Sequence, residues 1–152
     1  MNALCRLLGL QIQNSYQQRN FAPWCAGPRL EYFEVSSRID LAIKEAAKSL
    51  CRHKVGAVLI KGSRVLAMSS NRYRNSPGVD FMNATFHAEE VVLRRFTPAR
   101  GATIYVARVN RIGETALARP CERCQAALLE RGVRRACYTT STGFEVLKLT
   151  SF

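Results

Sequence analysis

The chain of 152 residues has no apolar run approaching the ~18 residues that would mark a membrane-spanning helix, so no transmembrane helix is expected. It has no secretory signal pattern: the apolar stretch Leu7–Leu8–Gly9–Leu10 is short and runs into Gln11, Gln13 and Asn14. It has no internal repeat, and no linker long enough to divide residues 36–152. Acids are scarce, with 11 Asp and Glu against 23 Lys and Arg and a net charge of +12. The first 30 residues contain no Asp or Glu at all. Lysine is scarce too, since Arg supplies 18 of the 23 basic residues. With 47% hydrophobic and 22% charged residues, wholesale disorder is excluded. A balance this basic suggests an anionic partner such as a nucleotide, a nucleic acid or a membrane surface, and says nothing about fold.

Six cysteines are present: Cys5, Cys25, Cys51, Cys121, Cys124 and Cys137. A chain of this length can build a core without disulfide staples, so a reducing, cytoplasmic compartment is expected and some thiols need another purpose. Residues 1–36 read as an N-terminal extension: basic, acid-free, and broken by Pro23, Trp24, Gly27 and Pro28. Organelle targeting by residues 1–30, a nucleic-acid-binding arm, and an extension of no separate function all remain open, the last being favoured.

From residue 37 a single domain is expected to run to residue 152. Ser37 with Asp40 resembles a capping box, and Ile39, Ala42, Ile43, Ala46, Ala47 and Leu50 recur at helical spacing. Val55–Ile60 and Arg64–Met68 predict a hairpin around Lys61–Gly62–Ser63. Residues 71–86 and 110–119 read as polar loops. Helices are predicted from about His87 to Phe96 and from Pro120, in its first turn, to a stop at Gly132. Ala102–Ala107, Val133–Thr140 and Phe144–Leu149 complete five strands, the last two joined by the short turn Ser141–Gly143. The result is an α/β class fold, a three-layer α/β/α domain with a five-stranded mixed sheet. The short turn predicts an antiparallel final hairpin, since a parallel last strand needs a longer crossover.

Two segments carry chemistry: His87–Ala88–Glu89 and Pro120–Cys121–Glu122–Arg123–Cys124. Each falls at a predicted helix start. There the positive helix end favours thiolates and brings both thiols of Cys121 and Cys124 to one place. With the imidazole of His87 they make three ligands for one Zn2+, leaving a fourth position open, as in a catalytic site. Zinc lowers the pKa of a bound water to about 7. Glu89, in the same first turn as His87, can take up a water proton without being a ligand. Glu90 points about 100° away on the helix and reads as a solvated surface residue.

His-x-Glu followed by Pro-Cys-x-x-Cys is the signature of zinc nucleobase deaminases. The chain resembles the cytidine/deoxycytidylate (CMP/dCMP-type) deaminase superfamily. It is similar to small bacteriophage-encoded deaminases through Asn71–Arg72–Tyr73–Arg74–Asn75, and residues 51–62 resemble the first strand and its approach. The resemblance covers roughly residues 37–150. It implies a cytidine deaminase-like fold and hydrolytic deamination at C4 of cytosine or C6 of adenine, with Glu89 catalytic. It also implies a homo-oligomer and a sugar contact from Asn71, at the end of the second strand. The antiparallel final hairpin departs from the dCMP and tRNA branches.

Other residues are weighed against plainer roles. Arg72 and Arg74 precede the His87 motif, Arg108 and Arg111 lie before the Cys121 motif, and Arg119 directly precedes Pro120. As a set they favour a phosphorylated or polymeric substrate, since a guanidinium grips phosphate in a forked geometry. Each alone could be an ordinary surface charge. Phe86 is a candidate for stacking on a base, Phe81 a weaker one, and Tyr105 reads as core. Ala88, between the ligand and the acid, is counted with the substrate-binding set. His53 could belong to a second metal site, as in some dCMP deaminases, but a polar contact near the helix end is favoured. Cys51 and Cys137 read as buried small residues. The preferred substrate is a cytosine nucleotide or nucleoside, with dCMP first. Cytosine or adenine within single-stranded DNA or tRNA comes second, and a non-catalytic zinc-stabilised nucleic-acid-binding module third.

Overall fold

The alternation of side chains along a strand serves two cores at once when both faces of a sheet are covered. Strand β1 (Lys54–Lys61) does this. Ala57 and Leu59 join a core on one face, and Val58 and Ile60 join a core on the other. Strand β5 (Thr103–Val109) repeats the pattern with Ile104 and Val106 against Tyr105 and Ala107. Helix α1 (Arg29–Ala47) covers the second face through Ile39 and Ala42. Helices α2 (Ala88–Arg95) and α3 (Glu122–Glu130) cover the first through Val92, Leu93 and Leu128. The computed structural model, which describes residues 29–74 and 85–149, is therefore the expected three-layer α/β/α arrangement.

The other strands are β2 (Arg64–Ser70), β3 (Arg72–Tyr73), β4 (Thr85–Phe86), β6 (Thr115–Ala116), β7 (Arg135–Thr139) and β8 (Phe144–Lys148). The main sheet runs β2-β1-β5-β7-β8, with β6 paired to the far end of β5. Strand β1 is antiparallel to both β2 and β5, β5 is parallel to β7, and β7 is antiparallel to β8. The mixed sheet and its final antiparallel hairpin match the expectation. The short sixth strand β6 is an addition, pairing Thr115 and Ala116 with Val109 and Arg108.

Several local expectations are corrected. Helix α1 begins at Arg29, so Ser37 lies inside it, and its hydroxyl donates back to the Glu34 carbonyl at 3.0 Å instead of capping a start. Leu50 lies beyond α1 and is 92% exposed. Pro120 sits just before the N-cap of α3, which is Cys121. The segment after Asn71 is closed by a ribbon of β3 and β4, which pairs Arg72 with Phe86. Helix α3 does stop as expected. Gly132 takes a φ of 80° and donates to the Leu129 carbonyl, while Val133 donates to that of Leu128, a Schellman end.

Helix α1 lies very close to β1. A Cβ built on Gly56 would lie 2.3 Å from both the Ala42 carbonyl oxygen and the Ala46 nitrogen, so the crossing requires glycine there. Among the described residues no helix is long and apolar enough to cross a membrane.

Candidate active site

Two helix N-termini converge. His87 is the N-cap of α2 and Cys121 the N-cap of α3, both in extended backbone, with φ of −67° at each. Cys124 follows in the first turn of α3 and is buried. His87 Nδ1 lies 3.2 Å from Cys124 Sγ and 3.6 Å from Cys121 Sγ. One ligand atom from each of the three residues falls within 4.8 Å of the others. A tetrahedral zinc with N and S bonds of about 2.05 and 2.3 Å sets an N···S separation of about 3.6 Å, so the donor set fits. Zinc is the cofactor, and His87, Cys121 and Cys124 are its candidate site. It is the only such cluster among the described residues. His53 lies instead 3.0 Å from the Arg108 guanidinium, the polar contact expected of it.

Loop anchoring brings the second motif to the first. The Thr139 hydroxyl, at the end of β7, accepts from the Arg108 N–H and donates to the Ala116 carbonyl. Its carbonyl accepts from the Ala118 N–H. Gln125 then donates to the Pro120 carbonyl at 2.7 Å. Loop 110–119 is thus tied at both ends before Cys121.

Glu89 is the second residue of α2 and 4% exposed. Burial pushes its carboxyl above the ordinary value, opposed by its backbone hydrogen bond and by His87. Burial likewise pushes the Cys124 thiol up, with the nearby Glu89 acting in the same direction. A bound dication reverses that preference, because a coordinating thiol is deprotonated.

Glu90 is not a solvated surface residue. Its carboxylate accepts from the His87 N–H at 3.0 Å, which places it at the capping-box position of α2. It also meets Arg123 at 3.2 Å and Arg74 at 3.8 Å. One side chain therefore joins the end of β3, the metal-binding start of α2 and the Cys-x-x-Cys turn of α3.

A family model for the cytidine and deoxycytidylate deaminase zinc-binding region matches residues 34–140, a span that contains all of these groups. The chain belongs to this family. Among solved structures, the apo dCMP deaminase of cyanophage S-TIM5 is similar at 21% identity, covering 71% of this chain and 83% of that one, with a TM-score of 0.56. The cytidine deaminase of Burkholderia pseudomallei is similar at 19% identity, over 74% and 91%, with a TM-score of 0.56. Acinetobacter baumannii RibD is similar at 21% identity, over 72% of this chain and 29% of that one, with a TM-score of 0.50. No curated protein matches the sequence. At these identities the structures establish the deaminase fold.

The remaining expected residues stand as follows. Ala88 is fully buried. Asn71 is buried, and its Oδ1 accepts from the Ser49 hydroxyl and the Val55 N–H while its Nδ2 donates to the His53 carbonyl. The Arg74 and Arg94 guanidiniums lie 4.4 and 4.5 Å from the Phe86 ring centroid, so cations already occupy that ring. Arg72 and Arg119 are exposed. Tyr105 is core, and its hydroxyl accepts from Arg38. Cys51 and Cys137 are buried, as expected. Phe81, Cys5 and Cys25 lie outside the described residues. Sequence reasoning missed Thr139, Ser49 and the Glu90–Arg123 pair. Only Glu90 carried a signal, its spacing of three from the helix cap.

Proposed function

We propose that the chain is a zinc-dependent hydrolytic deaminase that converts a free cytosine nucleotide or nucleoside, dCMP first, to its uracil product and ammonia. The observation that carries this reading is the buried Glu89 carboxyl in the same turn as His87, beside the thiols of Cys121 and Cys124. A metal-binding module without chemistry has no use for a desolvated carboxylate there. Zinc, when held by these three residues, supplies an acidified water at neutral pH.

The protein's own residues manage the protons. Glu89 accepts a proton from the attacking water, and its burial raises its affinity for that proton. It then returns that proton to the ring nitrogen of the base and carries the second water proton from the added hydroxyl to the amino group, so that the carbonyl forms as the C–N bond breaks and ammonia leaves. His87, Cys121 and Cys124 fix the metal, and Glu90 fixes His87. In this reading the exposed Arg72 and Arg119 are directed to phosphate, while Arg74, Asn71 and Phe86, already engaged within the protein, would shape the substrate pocket. Support for a nucleotide comes also from the cyanophage neighbour, whose structure is described in complex with dCMP and dUMP. The catalytic unit in this reading includes the whole of helix α1 from Arg29, so it takes in the end of the expected extension 1–36 as well as residues 37–152. The net charge of +12 favours a second reading, a base within single-stranded DNA or tRNA.

A product assay separates these readings. Purified protein is offered cytidine, deoxycytidine, dCMP, single-stranded DNA and tRNA, and uracil or inosine is detected by mass spectrometry. Turnover of dCMP is expected. Glu89→Ala is expected to keep zinc and lose turnover, and full activity in that variant would sink the mechanism.

A further inference from the structure

Many of the arginines lie far from the metal ligands. Helix α3 carries Cys121 and Cys124 at its start and runs nine residues, about 13 Å, to its other end. The starts of β5 and β7, the end of β8 and the β1–β2 turn lie at that remote end, as the pairings Ile60–Thr103, Thr103–Arg135 and Arg135–Lys148 require. A concave pocket of about 920 Å³ opens there. Arg100, Arg134, Arg135 and Lys148 line it, with Leu129 and Val133 among its apolar lining. Glu130 is its only acid. Arg135 also lines a neighbouring hollow of about 370 Å³ together with Arg38.

Those four cations have no ion-pair partner among the described residues, whose acid–base pairs join other side chains. Outside the side chains described, the only acids are Glu31 and Asp80. An unpaired cationic face of this density is complementary to a polyanion. From β1 to β8 the end of the sheet spans three strand spacings, about 14 Å, which exceeds one phosphate and suits several along a strand. Leu129, partly exposed where it lines this pocket, offers an apolar contact for an unstacked base, which a duplex keeps inside its stack.

We propose that this face binds single-stranded nucleic acid through its phosphates, at a site separate from the zinc ligands. The proposal does not depend on which substrate the zinc centre takes.

The test uses the full, zinc-loaded chain and fluorescence anisotropy with a labelled oligothymidine or oligouridine 20-mer, which contains no deaminable base. Four neutralised phosphates predict a slope of about −2.8 for log affinity against log salt. The double variant Arg134→Gln/Arg135→Gln is expected to weaken binding roughly tenfold or more at low salt and to flatten the slope by about 1.4. Both side chains are exposed, and thermal unfolding checks that the fold survives. Arg100→Gln/Lys148→Gln is the second variant and is expected to act alike. Arg52→Gln, an exposed residue beside the opposite end of β1, is expected to leave oligonucleotide binding unchanged. The proposal is overturned by absence of binding at low salt, or by unchanged affinity in both remote-end variants. Tighter binding of a duplex, of inorganic triphosphate or of anionic vesicles overturns it equally.

Discussion

Replacing Glu90 with alanine removes two kinds of contact at once. The carboxylate satisfies the His87 N–H at 3.0 Å, one of the unpaired donors of a helix start. Losing a cap of this kind costs about 1 kcal/mol. The contact with Arg123 at 3.2 Å is half-exposed on the arginine side, so it contributes about 0.2–1 kcal/mol, and the 3.8 Å contact with Arg74 adds less. The sum is about 2 kcal/mol, a fall in Tm of about 4–8 °C for a domain of this size. Glu90→Gln keeps a capping acceptor and loses only the charge, so its fall should be less than half as large. The assay is thermal unfolding of the zinc-loaded protein, paired with the rate at which zinc passes to a chelating dye. Glu90→Ala should release zinc faster, because the backbone carrying His87 is no longer held. An alanine variant that melts within 1 °C of the parent and releases zinc at the parent's rate would refute the reasoning.

Gly56→Ala should destabilise. The added methyl overlaps backbone atoms of Ala42 and Ala46 that cannot swing aside, costing about 1–3 kcal/mol or more, and the gain in chain stiffness of about 0.4–1 kcal/mol does not offset it. A lowered urea midpoint checks this. Cys124→Ser should abolish stoichiometric zinc, measured by elemental mass spectrometry on the folded variant, because a hydroxyl is a poor substitute for thiolate. Burial pushes the Cys137 thiol up to about 11, against the weaker opposing influence of Arg135 and Arg38. The folded chain holds that proton more tightly than the unfolded chain, whose thiol titrates near 8.5. Its burial is therefore free of penalty below about pH 8.5, and stability falls as the pH rises toward 11. Iodoacetamide at pH 8 should leave Cys137 unlabelled in the native protein and label it after denaturation, as peptide mapping would show.

The sheet was legible because period-two patterning and tight turns are local signals. Val55–Ile60 could be read as a buried strand, and Ser141–Gly143 was too short for a crossover. The zinc ligands were legible because a metal demands a narrow set of residue types near helix starts. The start of α1 was misread, because Ser37 can cap a helix or bond back within one, and only the preceding residues decide. Strands β3, β4 and β6 have two residues each and leave no periodicity to read. Thr139 and Ser49 act across 23 to 31 and 22 residues of sequence, beyond the reach of any local pattern. The angle between Glu89 and Glu90 points Glu90 to solvent, whereas its spacing of three from the helix cap brings it to the His87 N–H.

The convergence of two helix starts has a topological consequence. His87 and Cys124 stand 37 residues apart, and the segment between them contains β5, the strand that pairs with β1, β6 and β7. A metal joining the two ends closes that segment into a ring, as a disulfide would. In the chain-entropy picture, a closed loop of this length restricts the unfolded chain by about 3–4 kcal/mol. An ion held there would act on the chain as a cross-link as well as a Lewis acid. Selection for catalysis and selection for a folded chain fall on the same three side chains.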